Sequence, residues 1–279
     1  MPELLRNSGV VLFYGGGIMM KDTYTDFKAE ILRMTKIDLN SYKEAQMKRR
    51  IDSLIQKRGI KGYPNYVNAL KTDTEVFDEF INYITINVSE FYRNTDQWEL
   101  MDKQFIPDLI NRFGKRLKIW SAACSTGDEP YSLVMALSRH IPLNQIKIYA
   151  TDLDKTVMGK AKVGLYNSKS IAGVPADFKK KYFTQVGPSY QISDEIKSRV
   201  EFHEHNLLKD PYQKNYDFIV CRNVLIYFTE EAKNEVFKKF AESLKDGGLL
   251  FIGSTEQIMN YKDIGLKREN SFYYRKEAK

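Results

Sequence analysis

The stretch Leu117-Lys118-Ile119-Trp120-Ser121-Ala122-Ala123-Cys124-Ser125-Thr126-Gly127-Asp128-Glu129-Pro130-Tyr131-Ser132 carries chemistry most plainly. An apolar strand gives way to small residues, then to an acidic pair and a proline suited to opening a helix. Small side chains let the backbone approach a ligand closely where a parallel strand hands over to its helix. Only Gly127 is a glycine, so the dinucleotide fingerprint is missing. A helix start favours phosphate, but Asp128 and Glu129 would repel it. Such acids suit a ligand with hydroxyls and a positive charge. S-adenosylmethionine has a ribose, a sulfonium and no phosphate.

Other candidates fall at the ends of later strands, where ligands of open α/β sheets collect. Asp152 ends the second strand, the position of an acid that accepts ribose hydroxyls through charge-assisted bonds. It could instead cap the next helix, and Asp154 competes for either role. Asn206 and Leu207 follow one later strand, and Asn223 and Val224 follow another. An asparagine donates and accepts at once, which suits an adenine edge or an amino-acid moiety. Asn87, Ser89 and Arg93 lie in the segment joining two differently patterned halves, a common wall for a pocket. By spacing alone, Phe91 and Tyr92 are core residues and Arg93 a solvated charge. Two cysteines, Cys124 and Cys221, without metal-like spacing point to a reduced, cytoplasmic setting. His203 and His205 share a strand face but lack a third ligand, so no metal is expected.

The elements that must position these residues follow from periodicity. Residues 1–20 read as an extension and are set aside. Residues 21–87 show helical spacing (Phe27, Ile31, Leu32, Met34, then Ile51, Leu54, Ile55), with the second helix expected from Leu39 to Lys57. Residues 88–115 form a linker with helical character. From 116 to 279 strands and helices alternate, which predicts a parallel sheet flanked by helices. The rhythm breaks at about 166–199, where Pro175, Gly187-Pro188 and Tyr190-Gln191-Ile192 suggest an insertion with short antiparallel strands. The fold class is therefore α/β, Rossmann-like, with an inserted β-subdomain and a preceding all-α domain. A net charge of +7 permits any acidic partner and selects none.

Asn87-Val88-Ser89-Glu90-Phe91-Tyr92-Arg93, the Trp120–Ser132 run, Ala150-Thr151-Asp152-Leu153-Asp154 and Cys221-Arg222-Asn223-Val224-Leu225-Ile226-Tyr227-Phe228 together resemble the chemotaxis receptor methyltransferase (CheR) family, in the family's order, from about Asp22 onward. The resemblance implies methyl transfer from S-adenosylmethionine to glutamate side chains of methyl-accepting chemotaxis receptors, leaving S-adenosylhomocysteine. It implies cofactor contacts at Asn87, Ser89, Arg93, Glu129, Asp152, Asn206, Leu207, Asn223 and Val224. It also implies a direct role for Arg93 and Tyr227 beside the reacting groups. The family often has Thr where Ser89 stands and a Phe pair where Phe91-Tyr92 stands; Ser keeps the hydroxyl.

A glutamate is ionised at neutral pH, so the reaction needs no general base, and none stands out. Lys43, Arg50 and Lys57 repeat at sevens and are expected to share one helix face. Such a face is either solvated or a basic surface for the receptor's acidic helices. A base-modifying methyltransferase is disfavoured. Its Asn/Asp-Pro-Pro-aromatic loop is replaced by Arg222-Asn223-Val224-Leu225, and Cys221 follows Val220 where a Pro-Cys nucleophile would stand. A cofactor-binding adaptor without turnover is the non-enzymatic alternative.

Overall fold

The computed structural model describes residues 21–278, so the extension read at 1–20 lies outside the described residues. Helices α1 (Tyr24–Thr35), α2 (Glu44–Lys57), α3 (Tyr63–Thr72) and α4 (Thr74–Thr85) come first. Thr23 caps α1 by accepting the Asp26 N–H, and Asp73 caps α4 by accepting those of Glu75 and Val76. The apolar positions close on one another: Phe27, Ile31, Ile51, Tyr66 and Phe80 are fully buried. Phe80 meets Phe27 and Tyr66 edge-on.

The second helix begins later than its periodicity suggested. Leu39–Ser41 is a 3₁₀ turn in which Asp38 accepts the Asn40 N–H, and Tyr42 is extended. Tertiary pairing overrides helix propensity here. The Lys43 N–H donates to the Tyr227 carbonyl and the Thr229 N–H to the Ser41 carbonyl, both at 2.9 Å. The basic row also departs from expectation. Arg50 lies over the Tyr83 ring and donates to its carbonyl at 2.6 Å, while Lys57 pairs with Glu79 at 2.9 Å. Both are drawn to α4, which offers an acid and an unpaired helix-end carbonyl. Lys43 precedes the helix and remains exposed.

Helices α5 (Thr95–Leu100) and α6 (Ile106–Phe113) are joined without a break by a π-helical segment, Met101–Phe105. Pro107, early in α6, has no N–H to give the turn before it, which favours the wider spacing. The α/β part then runs β1 (Ile119–Ala122), α7 (Asp128–Leu137), β2 (Ile148–Asp152) and α8 (Lys155–Val163). The insertion holds β3 (Leu165–Asn167), α9 (Ala176–Tyr182), β4 (Phe183–Val186), β5 (Ser189–Ile192) and α10 (Asp194–Lys197). Thus the irregular stretch does form an antiparallel sheet, ordered β3-β5-β4, but also carries two short helices.

The chain continues through β6 (Val200–Glu204), β7 (Tyr216–Cys221), α11 (Glu230–Ser243), β8 (Leu244–Ile252), β9 (Leu266–Arg268) and β10 (Tyr273–Lys276). The main sheet is ordered β6-β2-β1-β7-β8-β10-β9. Its first five strands are parallel, and β10 is antiparallel to both neighbours. Every residue of β7 is buried, as in a strand covered on both faces; its one charge, Asp217, accepts the Lys118 N–H and pairs with Lys245, both at 2.7 Å. Trp120 fills the core under α11 against Tyr216 and Phe240, and its indole N–H donates to the Thr151 hydroxyl at 2.9 Å. Among the described residues, no helix is long and apolar enough to cross a membrane.

Asp154 joins the two halves. Its Oδ1 accepts from the N–H groups of Thr156 (2.8 Å) and Val157 (3.3 Å), capping α8. Its Oδ2 accepts from Asn87 Nδ2 (2.9 Å), Thr85 Oγ1 (3.3 Å) and Asn82 Nδ2 (3.4 Å) at the end of α4. Replacing Asp154 with Ala removes a cap and strands an amide donor. We expect urea unfolding to show a loss of roughly 1–3 kcal/mol.

Candidate functional site

Strand β1 has β2 on one side and β7 on the other, so the chain reverses its direction of winding there. The loops leaving these strands diverge at their carboxyl ends and open a crevice. Two cavities occupy it and share Ala123 and Asp152. The first is walled by 85–90, Arg93, 123–125, Glu129 and 222–224. The second is walled by Tyr42, Leu153, His205, Asn206, Leu207 and Phe228.

The backbone is bent hard to make these walls. Among the described residues eight non-glycines have positive φ, and six of them (Ile86, Tyr92, Asn94, Ala123, Ser125 and Asn223) line or flank the first cavity. Left-handed backbone at a β-branched residue such as Ile86 is uncommon, and strain of this kind gathers at ligand-binding sites. Gly127 (φ +88°) turns the loop into α7; a Cβ there would fall 2.9 Å from both Ala161 and Tyr131. The single glycine of the motif therefore serves tight packing of α7 and α8, and small side chains form the wall.

Asp152 fixes the middle of the crevice. Its Oδ2 accepts the Ser125 N–H at 2.7 Å and its Oδ1 the Asp154 N–H at 3.0 Å. Each carboxylate oxygen keeps a lone pair for a further donor. Burial pushes the Asp152 carboxyl up to about 6, with those two N–H groups pulling it down. Asp152 and Asp154 thus divide the two roles that competed for them: Asp152 lines both cavities, and Asp154 caps.

At the far end of the first cavity, Glu129 accepts from the Ser121 hydroxyl at 2.9 Å and faces Arg222 at 3.9 Å. Burial raises its carboxyl to about 7, against the pull of the Arg222 guanidinium. Arg222 is buried over the Phe251 ring and ties down the 93–97 segment. It donates to the Arg93 carbonyl (2.7 Å), Asn94 Oδ1 (3.1 Å) and Gln97 Oε1 (3.1 Å). The Arg93 side chain is left at the rim, reaching back to the Val88 carbonyl at 3.2 Å. Asn87 bridges Ser125 (3.2 Å) and Asp154, which closes the wall on the helical side.

The second cavity is flatter in character, with Tyr42 edge-on to Phe228 beside Leu207 and Leu153. The Nε2 of His205, which lines it, is buried with no hydrogen-bond partner. Polar groups at one end, an acid in the middle and an aromatic, apolar slot at the other fit the amino-acid, ribose and adenine parts of S-adenosylmethionine. Asn87, Ser89, Arg93, Glu129, Asp152, Asn223 and Val224 line the first cavity, and Asn206 and Leu207 the second. Tyr227 lines neither. It sits half-buried on the rim turn, held by its own carbonyl. Sequence patterning overlooked Tyr42, which arrives from the helical domain, and the tethering role of Arg222. By periodicity Tyr42 falls inside the helix expected from Leu39, so nothing local marks it as a wall residue.

The comparisons agree with this chemistry. The model for the S-adenosylmethionine-binding domain of CheR methyltransferases matches residues 87–271, and the model for their all-alpha domain matches 22–85. The chain is 43% identical over 255 residues to the chemotaxis protein methyltransferase of Listeria innocua, covering 91% of this chain and 97% of that one. It is 32% identical over 257 residues to that of Borreliella burgdorferi, covering 85% and 91%. It is 34% identical over 249 residues to chemotaxis protein methyltransferase 1 of Pseudomonas aeruginosa, covering 85% and 90%.

A carboxylate accepts ribose hydroxyls better than a carboxylic acid does. Since burial raises the Asp152 carboxyl to about 6, S-adenosylhomocysteine should bind more tightly as pH rises through that value. Calorimetry between pH 5 and 7.5 should show a gain of about tenfold from Asp152, and Asp152→Asn should remove that part while leaving the part that follows Glu129 near 7.

Proposed function

Because the chain belongs to the CheR methyltransferase family, we propose that this chemotaxis methyltransferase esterifies glutamate side chains of methyl-accepting chemotaxis receptors, releasing S-adenosylhomocysteine. Support comes chiefly from the crevice: an acid held by two backbone N–H groups stands between a polar and an aromatic cavity. The bound cofactor supplies an electrophilic methyl group on a sulfonium. Asp152 holds the ribose. Glu129, with Asn87 and Ser89, contacts the amino-acid end, and Asn206 and Leu207 contact the base. Asn223 and Val224 complete the wall.

The acceptor glutamate arrives ionised, with an ordinary pKa near 4.3, so no residue has to remove a proton. Alignment is then the main contribution, and held geometry supplies about 7–11 kcal/mol in favourable cases. Arg93 orients the acceptor carboxylate through its guanidinium fork, and Tyr227 orients it from the opposite rim turn. The Arg93 backbone is fixed from below by Arg222 and the Tyr227 backbone by Lys43. Both side chains remain free to meet a second protein. A guanidinium that neutralised the carboxylate fully would blunt the nucleophile, which makes its value one of direction.

Labelled methyl from the cofactor should enter receptor protein in receptor-containing membranes and leave as methanol under mild base, as a carboxyl ester does. Incorporation into RNA or DNA instead would overturn the assignment. Arg93→Lys keeps the charge and loses the fork. We expect kcat to fall at least tenfold, about 1.4 kcal/mol of barrier, with S-adenosylhomocysteine affinity within about twofold.

The partner face is proposed on the helical domain, at the cytoplasmic side of membrane receptor arrays. Arg50 and Lys57 are engaged with α4, so the charge of the row left free among the described residues is Lys43, which stands next to the Tyr227 turn. Arg49 and Lys36 are exposed nearby in sequence. Attraction of these cations to acidic receptor helices raises the encounter rate and is screened by salt. Receptor methylation in the linear substrate range should therefore slow between low and high salt, and Lys43→Glu should slow it further at low salt.

A further inference from the structure

The rim turn of residues 222–228 carries Asn223, Val224 and Tyr227, yet little within it explains its shape. Asn223 is left-handed (φ 61°), and the short 3₁₀ turn Leu225–Tyr227 follows at once. Its own backbone bonds are few: the N–H groups of Tyr227 and Phe228 reach the Val224 and Leu225 carbonyls at 3.4 and 3.1 Å. The N–H groups of Asn223 and Leu225 go elsewhere. Both donate to one side chain, Glu256, at 2.7 and 2.6 Å.

Glu256 comes from the loop after β8. Strands β7 and β8 run parallel and end side by side, with Cys221 opposite Ile252, so the loops leaving them start as neighbours. Glu256 is 1% exposed, and it pairs with no cation among the described residues. Its carboxylate is satisfied by backbone alone. Oε2 accepts from Asn223 and, at 2.9 Å, from Gly253, and Oε1 accepts from Leu225. Gly253 is the only residue type that leaves room. A Cβ there would collide with Oε2 and lie 2.9 Å from the Asn223 nitrogen. An uncompensated buried acid is costly unless each lone pair is met, and here the donors that meet it belong to the turn that lines the crevice.

The geometry assigns Glu256 as a positioning residue for methyl transfer. Its carboxylate templates the 223–227 turn, setting Asn223 and Val224 against the cofactor and Tyr227 at the rim. The assignment rests on the proposed cofactor contacts of Asn223 and Val224. Glu256→Gln tests it with little change of shape. An amide offers one acceptor oxygen where two are used, and its NH2 would face an N–H of the turn.

For Glu256→Gln we expect the S-adenosylhomocysteine dissociation constant and the KM for S-adenosylmethionine each to rise at least tenfold, in a protein that still melts cooperatively. Glu256→Asp, which keeps the charge, should recover part of the loss. If Glu256→Gln melts earlier but binds within twofold of wild type with unchanged KM, its role is structural support and the assignment is overturned. Should Glu256→Gln not fold, Glu256→Asp takes its place, because withdrawing the carboxylate by one methylene loosens the same bonds without adding an atom against the turn. Weakened binding supports the assignment and unchanged binding overturns it. Calorimetry decides this independently of the acceptor: wild-type protein that binds S-adenosylhomocysteine but labels no receptor overturns the proposed reaction and leaves the Glu256 comparison intact.

Discussion

The crevice depends on one carboxylate bonded to two strands' worth of backbone. Asp152 accepts the N–H of Ser125 from the loop after β1 and that of Asp154 from its own loop. Together with the Cys124 N–H donated to the Thr151 carbonyl at 2.8 Å, those bonds hold the Ala123–Ser125 turn in its left-handed backbone. Two further bonds extend the arrangement into the helical domain, through Ser125 to Asn87 and from Asn87 to Asp154. Ligand recognition and domain docking therefore share a short chain of polar contacts. Each contact is modest alone, and the buried ones are costly to leave unmade.

Such a site sits on strained backbone, and the strain has to be met elsewhere. Six left-handed residues in and around one cavity wall cost on the order of 1–3 kcal/mol each when unfavourable. The central strands β1 and β7 beneath are buried on both faces, and Trp120 alone fills a space whose loss in comparable cores costs about 3–5 kcal/mol. Arg222 gives the same service on the other side, spending its donors on the Arg93–Gln97 segment. The rigid part of the protein is the sheet, and the loops borrow their shape from it.

Much of this was readable from residues in order. Strand β7 and helix α8 are legible in order, because the apolar run Phe218–Cys221 and an Asp cap before a helix are local signals. The small-residue exit from β1 likewise marked the crevice. What escaped the sequence was set by distant partners. Helix α2 starts at Glu44 because Ser41–Lys43 pairs with a turn far along the chain, which no helical period can register. The row Lys43, Arg50, Lys57 looked like a free face because its acceptors, Glu79 and the Tyr83 carbonyl, belong to another helix. The C-terminal pair β9 and β10 is short, and its register comes from stacking of Tyr273 between Phe105 and Phe251. Glu256 carried no signal, since its donors are backbone groups of another loop.

The pairing of Ser41–Lys43 with Tyr227–Thr229 makes the all-α half part of the enzyme's interior, with Tyr42 forming a wall of the aromatic slot. In the proposed complex, anything that shifts this seam would be felt by the nucleoside on one side and by a macromolecule resting on the helices on the other. Thermodynamic reciprocity then applies: whatever factor a docked protein imposes on nucleoside retention, the nucleoside imposes on the docked protein. In that complex, exchange of spent nucleoside for fresh would be tied to the grip on the target between successive turnovers.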